Sequence, residues 1–321
     1  MVIRAQYAEV PFFDPRRGRL PVRCLIDKAL DHFHDVSEAF REILVEETSF
    51  RELSPNIACA VARGPILYAA QLVPRVDEQG KGFAEIQISE TFLQMLWSMG
   101  YSMTCSAMLA AVRVRTRDSR PYDISIPRFA RMSAVSKAAM ELLVVLRPEQ
   151  HFSLPNPENP EAGDFVAIAS SNAIFQSAMT VILMHEVGHQ YYRHLDYSPS
   201  SVQEEVDADD FALRWLLDAP GSEFDRLAVR RGIIVAYACV LLMDRHLSPS
   251  SSHPSPQSRL VRAMELMQLD ENDPDWIFAS SALTAWVAWY IRGDAFVDLP
   301  DSRSLKETFL NSIRRIEALA E

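Results

Sequence analysis

Apolar residues recur at helical spacing through most of the second half of the chain, which predicts a succession of helices. The windows lie near 172–195, 202–218, 223–244, 256–268, 276–292 and 303–320. Earlier in the chain, residues 25–47 show the same spacing. A helix is expected from Glu90 with Ser89 as its cap, and a further one near 132–146, ending before Pro148. Strand signals are confined to the first half. Residues 57–62 and 66–73 are apolar runs joined by Arg63-Gly64-Pro65, which predicts a hairpin. Ala84-Glu85-Ile86-Gln87-Ile88 alternates apolar and polar positions, as a strand with one solvated face does. The expected fold class is therefore α+β and mainly helical, a small antiparallel β-meander packed against a helical body. The rigid stretch PNPENP at 155–160 is the best boundary. It divides an N-terminal region, 1–155, from a helical region, 156–321, as two domains or as parts of one.

Composition supports this and narrows the function. Glycine is scarce, 10 in 321 residues, which suits a helical protein. Lys plus Arg is 32 against 43 Asp plus Glu, a net charge of −11 that repels phosphate backbones and argues against nucleic acid as a partner. The short basic cluster Arg16-Arg17-Gly18-Arg19 reads as a solvated loop. Cysteines at 24, 59, 105 and 239 show no CxxC spacing, so buried free thiols are expected rather than a disulfide framework or a Cys-ligated metal. The first residues carry no apolar signal segment. Residues 165–184 are interrupted by polar side chains and 232–243 are too short to cross a bilayer, so both read as core helices and no membrane span is expected. A cytoplasmic protein is the expectation.

The candidate chemistry lies in His185-Glu186-Val187-Gly188-His189, an HExxH motif inside an apolar helical run. Residues four apart share a helix face, so both imidazoles can reach one ion. Glu186 projects about 100° away, beside the ion without ligating it. A hydrolytic zinc site needs three protein ligands and one open position, with a carboxylate to take the proton from the attacking water. Burying two histidines and a glutamate with no metal would be costly, and Ile174, Phe175, Ala178, Val181 and Ile182 make the histidine face an inward one. Gly188 leaves room for another helix.

The next helix offers the third ligand. Glu205, Ala208, Asp209, Ala212, Leu213 and Leu216 form one stripe. Glu205 is the expected metal ligand, and Asp209, one turn on, is placed to accept the outer N–H of a liganding histidine. Glu204 is the rival, but Ser201-x-x-Glu204 fits a capping box. His194 lies about 140° from His189 and cannot share its metal.

HExxH followed by ExxAD resembles the gluzincin metallopeptidases. Ser252-His253-Pro254 with Arg259 is similar to the segment that follows ExxAD in CAAX-prenyl-protease-like and heat-shock membrane peptidases. Among intracellular proteins, the chain resembles ImmA/IrrE-type and Lit-type phage-exclusion peptidases. The resemblance covers about residues 172–262. It implies a zincin-like fold and one Zn2+ per chain. It gives His253 a role as donor to the oxyanion or as a fourth metal position, beside its plain reading as a loop histidine. Arg259 either anchors that loop to the acidic site or lies on a helix surface. Gluzincins also pair substrate backbone with an edge strand, for which 84–88 is the candidate. The expected function is hydrolysis of a protein substrate by an intracellular zinc endopeptidase with Glu186 as general base. The alternative is a zinc-binding regulatory module with little proteolysis.

Overall fold

The computed structural model describes residues 4–7, 25–31 without 27, 53–60, 68–116, 127–144, 155, 157, 160–161, 163–192, 201–218, 223–291 and 303–320. Four strands, β1 (Arg4–Tyr7), β2 (Leu53–Ala60), β3 (Ala70–Val76) and β4 (Gly82–Ser89), form one sheet. Among the described residues after β4, eight helices follow: α1 (Glu90–Thr116), α2 (Pro127–Glu141), α3 (Phe165–Tyr191), α4 (Val202–Asp218), α5 (Glu223–Met243), α6 (Pro256–Leu266), α7 (Asp275–Tyr290) and α8 (Leu305–Ala320). The fold class is α+β and mainly helical, as the periodicity predicts.

Local signals explain where several elements begin. Ser89 Oγ accepts the Phe92 N–H at 3.2 Å and caps α1. Pro256 stands at the start of α6, where its missing N–H is harmless. The start of α3 lies seven residues ahead of the predicted one, because Asp164 forms its cap position and is bound by Arg131 of α2. Of the predicted helix at 25–47, the described residues 25–26 and 28–31 are helical; the remainder, the turn at 63–65 and His194 lie outside the described residues.

The sheet corrects two expectations. Its order is β1-β2-β4-β3, with β1–β2 and β2–β4 parallel and β3–β4 antiparallel. The described parts of the runs flanking Arg63-Gly64-Pro65, 57–60 in β2 and 70–73 in β3, therefore do not pair with each other; β4 lies between them. The hairpin is β3–β4, closed by Asp77, whose Oδ1 accepts the N–H of Gln79 at 2.9 Å and of Lys81 at 2.8 Å, with Gly80 at φ +80°. Residues 84–88 are likewise an interior strand, not an edge. Their alternation is real, with Ala84, Ile86 and Ile88 buried and Glu85 and Gln87 half-buried. Alternation reports an exposed face, however, and says nothing of an exposed edge. Among the described residues the sheet ends on β1 and β3.

Helix α3 is the centre of the molecule, packed by α1, α4 and α5 and touched by β3. It is apolar on nearly every side, as a helix enclosed by others must be. It is also the one described helix long and apolar enough to cross a membrane, and two thirds of that stretch is buried inside the protein. Among the described cysteines, Cys105 and Cys239 are buried thiols.

Candidate metal centre

His185 and His189 stand on the last turns of α3, facing Glu205 in the first turn of α4. The two helices meet at Gly188. A Cβ there would lie 3.0 Å from Ala208 Cα and 3.3 Å from Phe211 Cβ, so the backbones touch where any side chain would separate them. This brings Glu205 to the histidine face. Its Oε2 is 3.5 Å from His185 Nε2, its Oε1 is 3.4 Å from His189 Nε2, and the two Nε2 atoms are 3.1 Å apart. Two donors bound tetrahedrally at about 2.1 Å to one ion lie about 3.4 Å apart. The three separations bracket that value, and the three residues form a group able to hold a metal ion.

Glu204 points elsewhere. Its carboxylate accepts the Ser201 N–H at 3.0 Å while its own N–H bonds Ser201 Oγ at 3.3 Å, the reciprocal capping box. Asp209 lies behind His185, its Oδ1 2.9 Å from Nδ1, close but not aligned as a hydrogen bond. Arg259, from α6, donates to both Asp209 oxygens at 2.7 Å from Nε and Nη2. Its Nη1 also approaches Glu205 Oε2 at 3.6 Å, and its side chain is 10% exposed. Arg259 is thus a buried partner of the acidic helix rather than a surface residue. His253 reaches the same carboxylate, Nε2 at 3.3 Å from Glu205 Oε1, while Nδ1 is 2.7 Å from Ser252 Oγ. The Ser250 hydroxyl holds this loop by accepting the His253 N–H at 2.9 Å.

The electrostatics follow from burial and these contacts. Burial opposes the charged form of His185, but the Asp209 and Glu205 carboxylates outweigh it and raise its pKa to about 10. Burial also opposes ionisation of Glu205 and Asp209. The paired imidazoles hold Glu205 well below the carboxylate range, and Arg259 holds Asp209 at about 2. Glu186 is 6% exposed, and burial raises its pKa against the pull of His185 and His189.

The apolar stripe of α4 and the HExxH helix were legible from spacing. Tyr237 of α5 was not: it is buried against Arg259, with the guanidinium carbon 5.7 Å from its ring centroid, and sits in a run that reads only as core. No curated protein and no solved structure matches the chain. A family model does match, over residues 86–279, more than half of the chain and the part that runs from β4 to α7 through every residue of this centre. The chain belongs to the family described as Peptidase U49.

Proposed function

We propose that the chain is an intracellular zinc endopeptidase, with His185, His189 and Glu205 as ligands and Glu186 as the general base. The observation that carries this reading is the convergence of three donor atoms at tetrahedral spacing, beside a buried glutamate. Two histidines and one glutamate leave one position open, the donor set of a hydrolytic zinc site rather than a structural one. A zinc ion held there would supply Lewis-acid activation of water and of the scissile carbonyl. Glu186 takes the proton from the attacking water and returns it to the leaving amine, a role helped by its raised pKa. His253, anchored by Ser252 and Ser250, donates from Nε2 to the oxyanion as the carbonyl becomes tetrahedral. Asp209, braced by Arg259, orients the His185 ring. An extended substrate would pair with β3, the sheet end that packs on the metal helix. Membership in a peptidase family supports a protein or peptide substrate.

The test is a pair of measurements on the wild type and Glu186→Gln. Metal analysis should find about one zinc per chain in both. Substrates trapped by the variant from a lysate should be cleaved by the wild type and about 10²–10³-fold more slowly by the variant. A variant that holds zinc and cleaves at the wild-type rate removes Glu186 from this role. A wild type that holds zinc but cleaves no trapped protein favours a zinc-binding regulatory module.

A further inference from the structure

Tyr237 lies on α5, away from both the HExxH turn and the acidic turn, and its environment is unusual for a core tyrosine. The side chain is 3% exposed, and its hydroxyl lies near the Asp209 carboxylate without being aligned as a hydrogen bond. Its ring faces the Arg259 guanidinium. That guanidinium is engaged on three sides: two N–H groups donate to Asp209, Nη1 approaches Glu205, and its carbon lies over the ring. A buried cation needs its counter-charges on the N–H edge and a surface on its face that does not draw it elsewhere, which an aromatic ring provides. Burial and the nearby Asp209 carboxylate push the phenol well above its ordinary range, so the ring brings no competing charge.

The ring is also fixed relative to the metal helix. Five residues before it, Gly232 lets α5 press on α3 so closely that a Cβ there would lie 2.5 Å from Ser177 Cβ and 2.8 Å from the Ala178 nitrogen. The backing under Arg259 and the helix bearing His185 are thus on two helices in backbone contact.

We propose that Tyr237 is a positioning residue of the metal centre. Its ring holds the Arg259 guanidinium where it fixes Asp209 and Glu205, and through Asp209 the ring of His185. The inference rests on the reading of His185, His189 and Glu205 as metal ligands.

The test measures Zn2+ affinity by chelator competition in Tyr237→Phe, Tyr237→Leu and Tyr237→Met, each alone and with Arg259→Gln. Thermal unfolding of the metal-stripped proteins is followed in parallel. Met keeps much of the volume without the ring, so one ring-less variant folds even where Leu leaves too large a gap. Loss of the ring should weaken zinc binding about tenfold or more, within the range for residues that orient ligands. Phe should stay within about twofold of the wild type. In the Arg259→Gln background the ring-less variants should lower the affinity no further, because the contact they act through is gone. A lower melting temperature with full zinc affinity would make Tyr237 a packing residue only and overturn the proposal. Equal losses with and without Arg259 would overturn it too. His189→Ala separates the two levels. If it binds zinc as the wild type does, the site itself is misassigned; if it loses zinc while the ring-less variants keep it, only the positioning role falls.

Discussion

Gly188→Ala tests whether the meeting of α3 and α4 sets the ligand spacing. The new methyl would sit 3.0 Å from Ala208 Cα, and ordinary contact begins at 3.4 Å, so α4 must back off by about 0.4 Å. The obstacle is backbone, which cannot rotate aside. Overpacking of this kind costs about 1–3 kcal/mol, and replacing a helical glycine by alanine returns about 1 kcal/mol. Net destabilisation should be about 0–2 kcal/mol, a modest fall in melting temperature of the metal-free protein. Metal binding should suffer more. Ala208 lies three residues after Glu205 on the same helix, and ligand positions tolerate only about 0.2 Å. A displacement twice that size should weaken zinc binding at least tenfold by chelator competition, about 1.4 kcal/mol. Gly232→Ala is the contrasting variant. Its methyl would meet Ser177 Cβ at 2.5 Å, about two helical turns before His185, so it should lower the melting temperature more and the zinc affinity less. If Gly188→Ala keeps both zinc affinity and melting temperature, or if the two variants show the same balance of losses, the helix contact does not set the site.

Three further outcomes are expected. Glu205→Ala should lose zinc, whereas Glu204→Ala should keep it and lose about 1 kcal/mol of stability with the capping box, as measured by metal content and denaturant unfolding. Asp209, held at about 2 in the folded protein against 3.8 ordinarily, adds stability that is fully present above pH 4 and lost as pH falls through about 2. That is roughly 2–3 kcal/mol in the metal-stripped protein, and Asp209→Asn should flatten the melting temperature over this window. His185 is protonated below about pH 10 when no metal is bound, so zinc must displace that proton. Calorimetry at pH 8 in buffers of different ionisation enthalpy should therefore report about one proton released per zinc, where an ordinary imidazole would release almost none.

What could be read from the sequence follows the range of each interaction. Helices were legible because their signals repeat within a few residues: the window 202–218 coincides with α4 and 223–244 with α5 to within one residue. Pairing in the sheet was not. Residues 57–62 and 66–73 are adjacent in sequence and separated by good turn chemistry, yet β4 inserts between their described parts in β2 and β3. Alternation in 84–88 showed which face is buried, but the strand's neighbours depend on backbone hydrogen bonds that any residue type can make.

The candidate metal centre divides in the same way. His185, His189 and Glu186 are legible because four-residue spacing on one helix is itself geometry. Glu205 is legible because the capping box occupies Glu204 and Gly188 marks the close approach of a partner. The layer behind them is set by charge rather than by spacing. Glu205 and Asp209 are two buried carboxylates one turn apart, and a buried pair of like charge needs a cation. The stripe shows that need, since Asp209 falls on it, but spacing does not say which of the 32 basic residues meets it; Arg259 was a candidate only through the resemblance of the segment around His253. Arg259 is fifty residues away and is brought in by α6 folding back over α4 and α5. The buried arginine in turn lies over a ring, Tyr237, from a third helix. Each step away from the motif replaces a local rule by a requirement that only the packed structure can assign. The residues that tune such a centre are therefore to be sought behind its ligands, at the partners of their partners.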